Sequence, residues 1–267
     1  MSKVDNLNEN MPARFKRPSI ITWISMVIFL AFFMHGLYIA DITVERAFGG
    51  IVNVGHFVYN AFPPDITRIG HASKAMFETF EMALVGTTIG VIMSVPIALL
   101  ASSNTTPHSL VSSVTRGLVS MVRTIPDLIW ALIFVISVGL GPFAGILTIM
   151  VDTVGFCGRF FSERIEEIDS GPVEALEATG GSGVGVIVGS VIPAAFPSFV
   201  ATSLYAVEKS IRSAVVLGLV GAGGIGVELS TAMQLRRFNE ALMIILVILV
   251  VVIFVEQISS NIRKKVI

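Results

Sequence analysis

The sequence has little of what a water-facing protein needs. Of its 267 residues only 14% are charged, 18 basic and 19 acidic, where a soluble domain of this size carries roughly a quarter. That shortage excludes a large wetted surface, and the same composition excludes disorder, a collagen-like repeat and a disulfide scaffold. A formal net charge of −1 excludes a general nucleic-acid binder, which needs a basic excess to neutralise phosphates. The single cysteine, Cys157, excludes an internal disulfide and any multi-cysteine metal site. His35, His56, His71 and His108 are scattered without metal-ligand spacing, and no nucleophile motif supports a Ser/His/Asp combination. No Gly-x-x-x-x-Gly-Lys-Ser/Thr run occurs, so this chain holds no ATP in a P-loop. It reads as neither an enzyme nor a metalloprotein, with no cofactor of its own.

What is present is apolar length. Hydrophobic residues make up 54% of the chain, and its mean hydropathy is +0.83. About 20 apolar residues cross a bilayer core as a helix, and charge-free runs locate such segments. They lie between Arg17 and Asp41, Glu81 and Arg116, Asp127 and Asp152, Glu177 and Glu208, and Glu240 and Glu256. Turn signals at Ser102–Pro107 and Gly139–Pro142 divide them. The expectation is an all-α polytopic transmembrane helical bundle of about six spans, near 19–40, 76–101, 112–138, 143–163, 190–212 and 239–259. The first is a retained signal-anchor, because it is longer than a signal-peptide core and no small-residue cleavage site follows. The uncharged, glycine-laden stretch 213–227 extends the fifth span with a bend.

Lys3, Arg14, Lys16 and Arg17 precede the first span, and Arg263, Lys264 and Lys265 follow the last. The positive-inside rule then puts both termini in the cytoplasm. The expected organisation is a cytoplasmic tail at 1–18, the first span and an external loop at 19–75, a membrane domain at 76–259 and a cytoplasmic tail at 260–267. Arg236 and Arg237 fall on the external side, against the rule.

The cytoplasmic connection 164–189 carries local helix chemistry. Asp169 or Ser170 can cap a helix, Pro172 suits its first turn, and Glu174 lies near the positive end of the dipole. Gly180 and Gly181 can end it in the left-handed conformation. Glu174-Ala175-Leu176, three residues, Gly180, and then Ile192-Pro193 resemble the EAA loop of ABC-importer permeases. The pattern there is Glu-Ala-Ala, three residues, Gly, nine residues, Ile, any residue, Leu-Pro. Leu176 replaces the third alanine, Ser190 the isoleucine and Ile192 the leucine. The resemblance implies that this helix docks on a cytoplasmic ATPase subunit, with Glu174, Ala175, Gly180 and Pro193 serving the coupling.

Arg123-Thr124-Ile125-Pro126-Asp127, Gly139–Gly145, Arg212–Gly218 and Val220-Gly221-Ala222-Gly223-Gly224-Ile225-Gly226 resemble the phosphonate-importer permeases more narrowly. The similarity runs from about residue 60 to 265. It implies a five-span importer-permease (MetI-like) core plus one amino-terminal span. It also implies a second permease chain, as a homodimer, two ABC ATPase subunits that bind ATP and Mg, and an external solute-binding protein. The cargo would be phosphonate, phosphite or a related oxyanion; another small solute such as an amino acid is the alternative. An ion-coupled secondary transporter is a further alternative, but no internal repeat supports it.

Several features carry competing readings. Gly221, Gly223, Gly224 and Gly226 include a Gly-x-Gly-x-x-Gly run, but a dinucleotide site needs a βαβ unit. Between membrane helices these glycines are expected to turn or pack the backbone near an outer gate. Gly181, Gly185 and Gly189, like Gly86 and Gly90, mark flat helix faces, within one chain or between two. Arg123, Asp127, Glu208 and Arg212 fall within the spans, where a charge costs about 2.5–3.5 kcal/mol on insertion scales. Helical spacing is expected to join Arg123 to Asp127 and Glu208 to Arg212 on one face. They are either structural ion pairs or the positive lining of a pathway for an oxyanion. Pro96, Pro126 and Pro197 are expected to kink their spans.

Overall fold

The computed structural model describes residues 18–41 and 43–266. The amino-terminal tail expected at 1–18, with Lys3, Arg14, Lys16 and Arg17, lies outside them except for Pro18. Every regular element among the described residues is helical. Five helices are long and apolar enough to cross a membrane, and a bent pair makes up to six.

The chain divides into two units, Met1–Val58 and Tyr59–Ile267. In the first, α1 (Ile20–Ile39) is capped by Ser19, whose hydroxyl accepts from the Thr22 N–H at 3.3 Å. None of its residues is buried, so its apolar surface suits lipid. The stretch 41–75, expected as a loop, instead contains α2 (Val44–Ala61) and a 3-10 turn, Ile66–Arg68. α2 does not read as a span because Asn53, His56, Asn60 and its glycines dilute its apolar residues.

The second unit is built on α3 (Ile69–Ala101), α6 (Pro142–Glu166) and a long helix α8 (Gly183–Gly218). Gly86 faces Ile146 and Ile149 of α6, and Gly90 faces Met150 and Thr153. A Cβ on Gly90 would lie 2.6 Å from Thr153 Cβ, so this glycine face serves packing within the chain. The numbers rise together, so α3 and α6 run in the same direction. α8 runs against them: Phe199 stacks on Phe161 with centroids 4.2 Å apart, while Lys209 reaches Asp152. A π turn at Ile187–Val191 precedes Pro193, whose missing N–H and bulky ring disfavour a regular α turn there.

The expected span at 112–138 is two helices, α4 (Ser109–Thr124) and α5 (Asp127–Val138), bent by 87°. Pro126 forces the residue before it out of the helical region, and Ile125 is extended, with ψ 120°. The sequence reading of a simple kink is therefore corrected to a break.

Past Gly218 the chain turns through Gly221, Gly223 and Gly224, all with positive φ (86°, 88° and 73°), into α9 (Ile225–Gln234). Ile225, Gly226 and Ala232 are buried, so this segment packs into the core. The last helix, α10 (Phe238–Val266), continues beyond the expected end of its span. Arg263, Lys264 and Lys265 sit in its last turn, where cations favour the negative end of the helix dipole.

Two apolar clusters fill the second unit. One gathers Met76, Ala83, Ile149, Ile211, Leu217 and Ile225 toward the end holding the glycine turn. The other gathers Ala98, Cys157, Phe161, Val191 and Phe199 toward the opposite end. Between them each principal helix turns polar: Thr87 on α3, Asp152 and Thr153 on α6, and Glu208, Lys209 and Ser210 on α8.

Candidate functional site: a charged waist and an exposed lever helix

Asp152 stands about 15 Å along α6 from Pro142, at 1.5 Å per residue, roughly halfway through a core about 30 Å thick. Both of its oxygens accept from Lys209 Nζ, at 2.8 and 2.7 Å. Lys209 also lies over the Phe156 ring at 5.2 Å, an attraction of the ring quadrupole for a cation. The side chains remain 35% and 24% exposed, so the pair is reachable from one side. Sequence spacing does not join the two charges, because they lie on different helices. Opposite signs in neighbouring spans were the available signal.

Glu208 is buried and accepts from Arg212 at 2.9 Å and from Arg263 at 3.3 Å. The expected Glu208–Arg212 pairing is therefore present, with an addition from α10. Two guanidiniums satisfy one carboxylate, and Arg212 keeps 46% of its side chain exposed. Arg263 lies over Tyr205 at 5.8 Å.

The expected Arg123–Asp127 face does not form, since the break at Ile125–Pro126 separates them. Asp127 begins α5 and accepts from the Ser213 hydroxyl of α8. Arg123, exposed at the end of α4, lies over Phe160 at 5.9 Å, and no carboxylate pairs with it among the described residues. Phe160, Phe156 and Tyr205 form a run of adjacent rings, with centroids 4.7 and 5.7 Å apart. Arg123, Lys209 and Arg263 each cover one ring. The structure thus brings Arg123, Glu208 and Arg212 into one strip with Lys209, and sets Asp127 beside it through Ser213.

The lever expected in the 164–189 connection is α7 (Ser170–Ala178), capped by Asp169, whose carboxylate accepts from Gly171 N–H at 3.1 Å. Gly180 leaves it at φ +84°, and its N–H bonds to Glu177 O at 2.9 Å. Ile168 and Val173 pack against the Phe161 cluster, while Glu174, Ala175, Glu177 and Ala178 are exposed. Leu176, the departure from Glu-Ala-Ala, turns toward Gly181, Val186 and Gly189 at the base of α8. Pro193 lies in α8 just past the π turn. α7 thus has an anchored inner face and an open outer face.

At the other end, the Thr79 hydroxyl accepts from Ile225 N–H at 2.7 Å and donates to Ala75 O at 2.8 Å. Gly224 lies against Thr79, Gly223 against Pro142, and Gly226 against Val215 and Gly218. Gly141 N–H donates to Gly221 O at 3.0 Å. Arg237, on the side where basic residues were unexpected, shares Glu240 with Arg68. No metal-holding group of His, Cys, Asp or Glu occurs among the described residues.

Residues 78–267 match the family described as binding-protein-dependent transport system inner membrane component. The chain is 36% identical to the phosphite transport system permease protein PtxC of Stutzerimonas stutzeri over 227 residues, 85% of this chain and 82% of that one. It is also 36% identical to the phosphate-import permease protein PhnE of Mycolicibacterium smegmatis, over 84% of this chain and 42% of that one. Its fold is similar to a chain of the methionine ABC transporter MetNI in an inward-facing conformation, with a TM-score of 0.67 and 20% identity over 76% of this chain and 99% of that one. The chain therefore belongs to the binding-protein-dependent transport permeases, and it is a membrane-spanning transport component and not an enzyme.

Proposed function

We propose that this chain forms the translocation pathway of an ATP-driven importer for phosphite, phosphonate or a related phosphorus oxyanion. The observation that carries the proposal is the row of cations within the apolar spans, with Lys209 at mid-height and Arg123 and Arg212 to either side of it, each partly or fully exposed. Charges at that depth face protein or water, because lipid cannot solvate them. A tetrahedral oxyanion matches them, since guanidinium groups give it paired, directed hydrogen bonds. Relatives named for phosphite and phosphate transport support the same substrate class.

One chain offers one α7 and one charged face. Pairing with a second permease chain, as a homodimer, covers that face and presents two levers to two ABC ATPase subunits. Those subunits bind ATP and Mg, and an external solute-binding protein delivers the anion. Glu174, Ala175, Gly180 and Pro193 serve the coupling. Gly221, Gly223, Gly224 and Gly226 serve a tightly packed gate opposite. This arrangement sets the protein in the inner cell membrane with both termini in the cytoplasm. Rocking of the paired chains then opens the pathway alternately to each side.

Uptake of phosphite, methylphosphonate and phosphate by cells with and without the gene tests the reading. Gene-dependent, ATP-dependent accumulation of at least one is expected. Accumulation of none, in cells that make the complete complex, overturns it.

A further inference from the structure

Resting on that oxyanion reading, we propose that Asp152 is a built-in stand-in for the cargo: its carboxylate holds Lys209 while the pathway is empty, and the arriving oxyanion displaces it.

The geometry of the pair is the first argument. Lys209 Nζ is gripped by both carboxylate oxygens, at 2.8 and 2.7 Å, and an ammonium has three donors. One donor therefore remains for a ligand approaching from the exposed side before the carboxylate lets go. The pair is not sealed in the core, as the exposure of both side chains shows. Asp152 is thus placed where an incoming anion competes with it directly.

Contrast with the neighbouring acid is the second argument. Glu208 is only 6% exposed and is bound by two arginines from two helices, which suits a fixed structural anchor. Asp152 has one cationic partner, a lysine on a flexible four-carbon stem. An arginine would give a bidentate, directional clamp, whereas lysine offers a movable point charge. Of Asp152 and Glu208, Asp152 is the one held by a single lysine and not by two arginines.

The surroundings supply the third argument. Arg123 reaches the same run of rings through Phe160 and has no carboxylate partner among the described residues. A displaced Asp152 would leave Lys209 and Arg123 facing the cargo along the Phe156–Phe160 edge. Once the anion departs, Asp152 recaptures Lys209 and lowers the tendency of the site to retain product. Asp152 is on this account a positioning residue that acts through Lys209. It keeps anion affinity weak, as a transport pathway requires.

The test uses the complete complex, with ATPase subunits and solute-binding protein, in proteoliposomes and in detergent. Uptake of radiolabelled phosphite is measured beside equilibrium binding of phosphite to the permease–ATPase complex without binding protein. Asp152→Asn is expected to tighten that binding about tenfold or more, because a competitor that occupies the site most of the time lowers apparent affinity by the unoccupied fraction. The same variant is expected to slow turnover. Lys209→Gln is expected to abolish both binding and uptake in a complex that assembles normally. The double variant Asp152→Asn/Lys209→Gln is expected to assemble and remain inactive. Restored uptake in the double variant, or unchanged binding in Asp152→Asn, overturns the counter-ion role while wild-type phosphite uptake leaves the proposed function standing. A wild-type complex that imports no phosphorus oxyanion overturns both. If a single variant fails to assemble, the double variant decides alone, since a purely structural pair predicts that its uptake returns.

Discussion

At the scale of single residues, Thr79 shows how a small polar group holds two helices in an apolar setting. Its buried hydroxyl accepts the Ile225 N–H in the first turn of α9 and donates to Ala75 O in its own helix. Thr79→Val keeps the shape and orphans that N–H, at a cost of about 1–3 kcal/mol. A lower melting temperature of the purified complex is expected. Thr88→Val is the control, because the Thr88 hydroxyl donates only within its own helix, to Leu84 O, and its loss should stay within about 0.5 kcal/mol. Gly224→Ala should cost about 1–3 kcal/mol, since φ is +73° and the added Cβ would overlap Thr79; the same thermal melt reads it. Arg212→Gln addresses transport. Arg263 still pairs with Glu208 in that variant, so assembly should persist while uptake falls by about tenfold or more if the guanidinium stabilises the passing anion by 1.5–3 kcal/mol. Unchanged uptake in an assembled complex removes Arg212 from the pathway.

At the scale of elements, α7 and the α4–α5 pair differ in how they were legible. The capping residues and glycine exit of α7 lie within a dozen positions of one another, so local chemistry was enough to foresee it. Its orientation was not local. Ile168 and Val173 reach a cluster made from α3, α6 and α8, and this contact decides which face remains open. Glu174→Arg/Glu177→Arg reverses charge on that open face without touching the anchored one. The permease is therefore expected to fold and melt normally while recovery of the ATPase subunit in pull-down falls by at least tenfold. Undiminished recovery would show that α7 is not the docking element. In α4–α5, the Ile125-Pro126 step announced an interruption, but an 87° bend depends on what receives the second helix. Ala131 of α5 is buried in the cluster with Ile149 and Ile211, and Ser213 meets Asp127. The four-residue spacing of Arg123 and Asp127 misled because it assumed one continuous helix.

At the scale of the whole molecule, an apolar exterior prescribes a membrane, and the charged waist is the face that a second permease chain covers in the proposed assembly. The buried Cys157 makes the native chain a quiet background for thiol labelling. Glu177→Cys on α7 is expected to react with an impermeant maleimide only after the cytoplasmic side is opened. Labelling in intact cells would invert the proposed topology and remove the proposed ATPase contact.

Composition and charge-free runs alone determined that the chain is helical and membrane-spanning, because hydrophobic length is a property of consecutive residues. Local capping likewise determined that a short helix occupies the 164–189 connection. Only the tertiary structure decided that Asp152 meets Lys209, that Glu208 holds both Arg212 and Arg263, and that Arg123 and Asp127 part company. Side chains 57 or 55 positions apart become partners through the packing of whole helices, and the glycine contacts that set that packing have no signature in the spacing of the charges themselves.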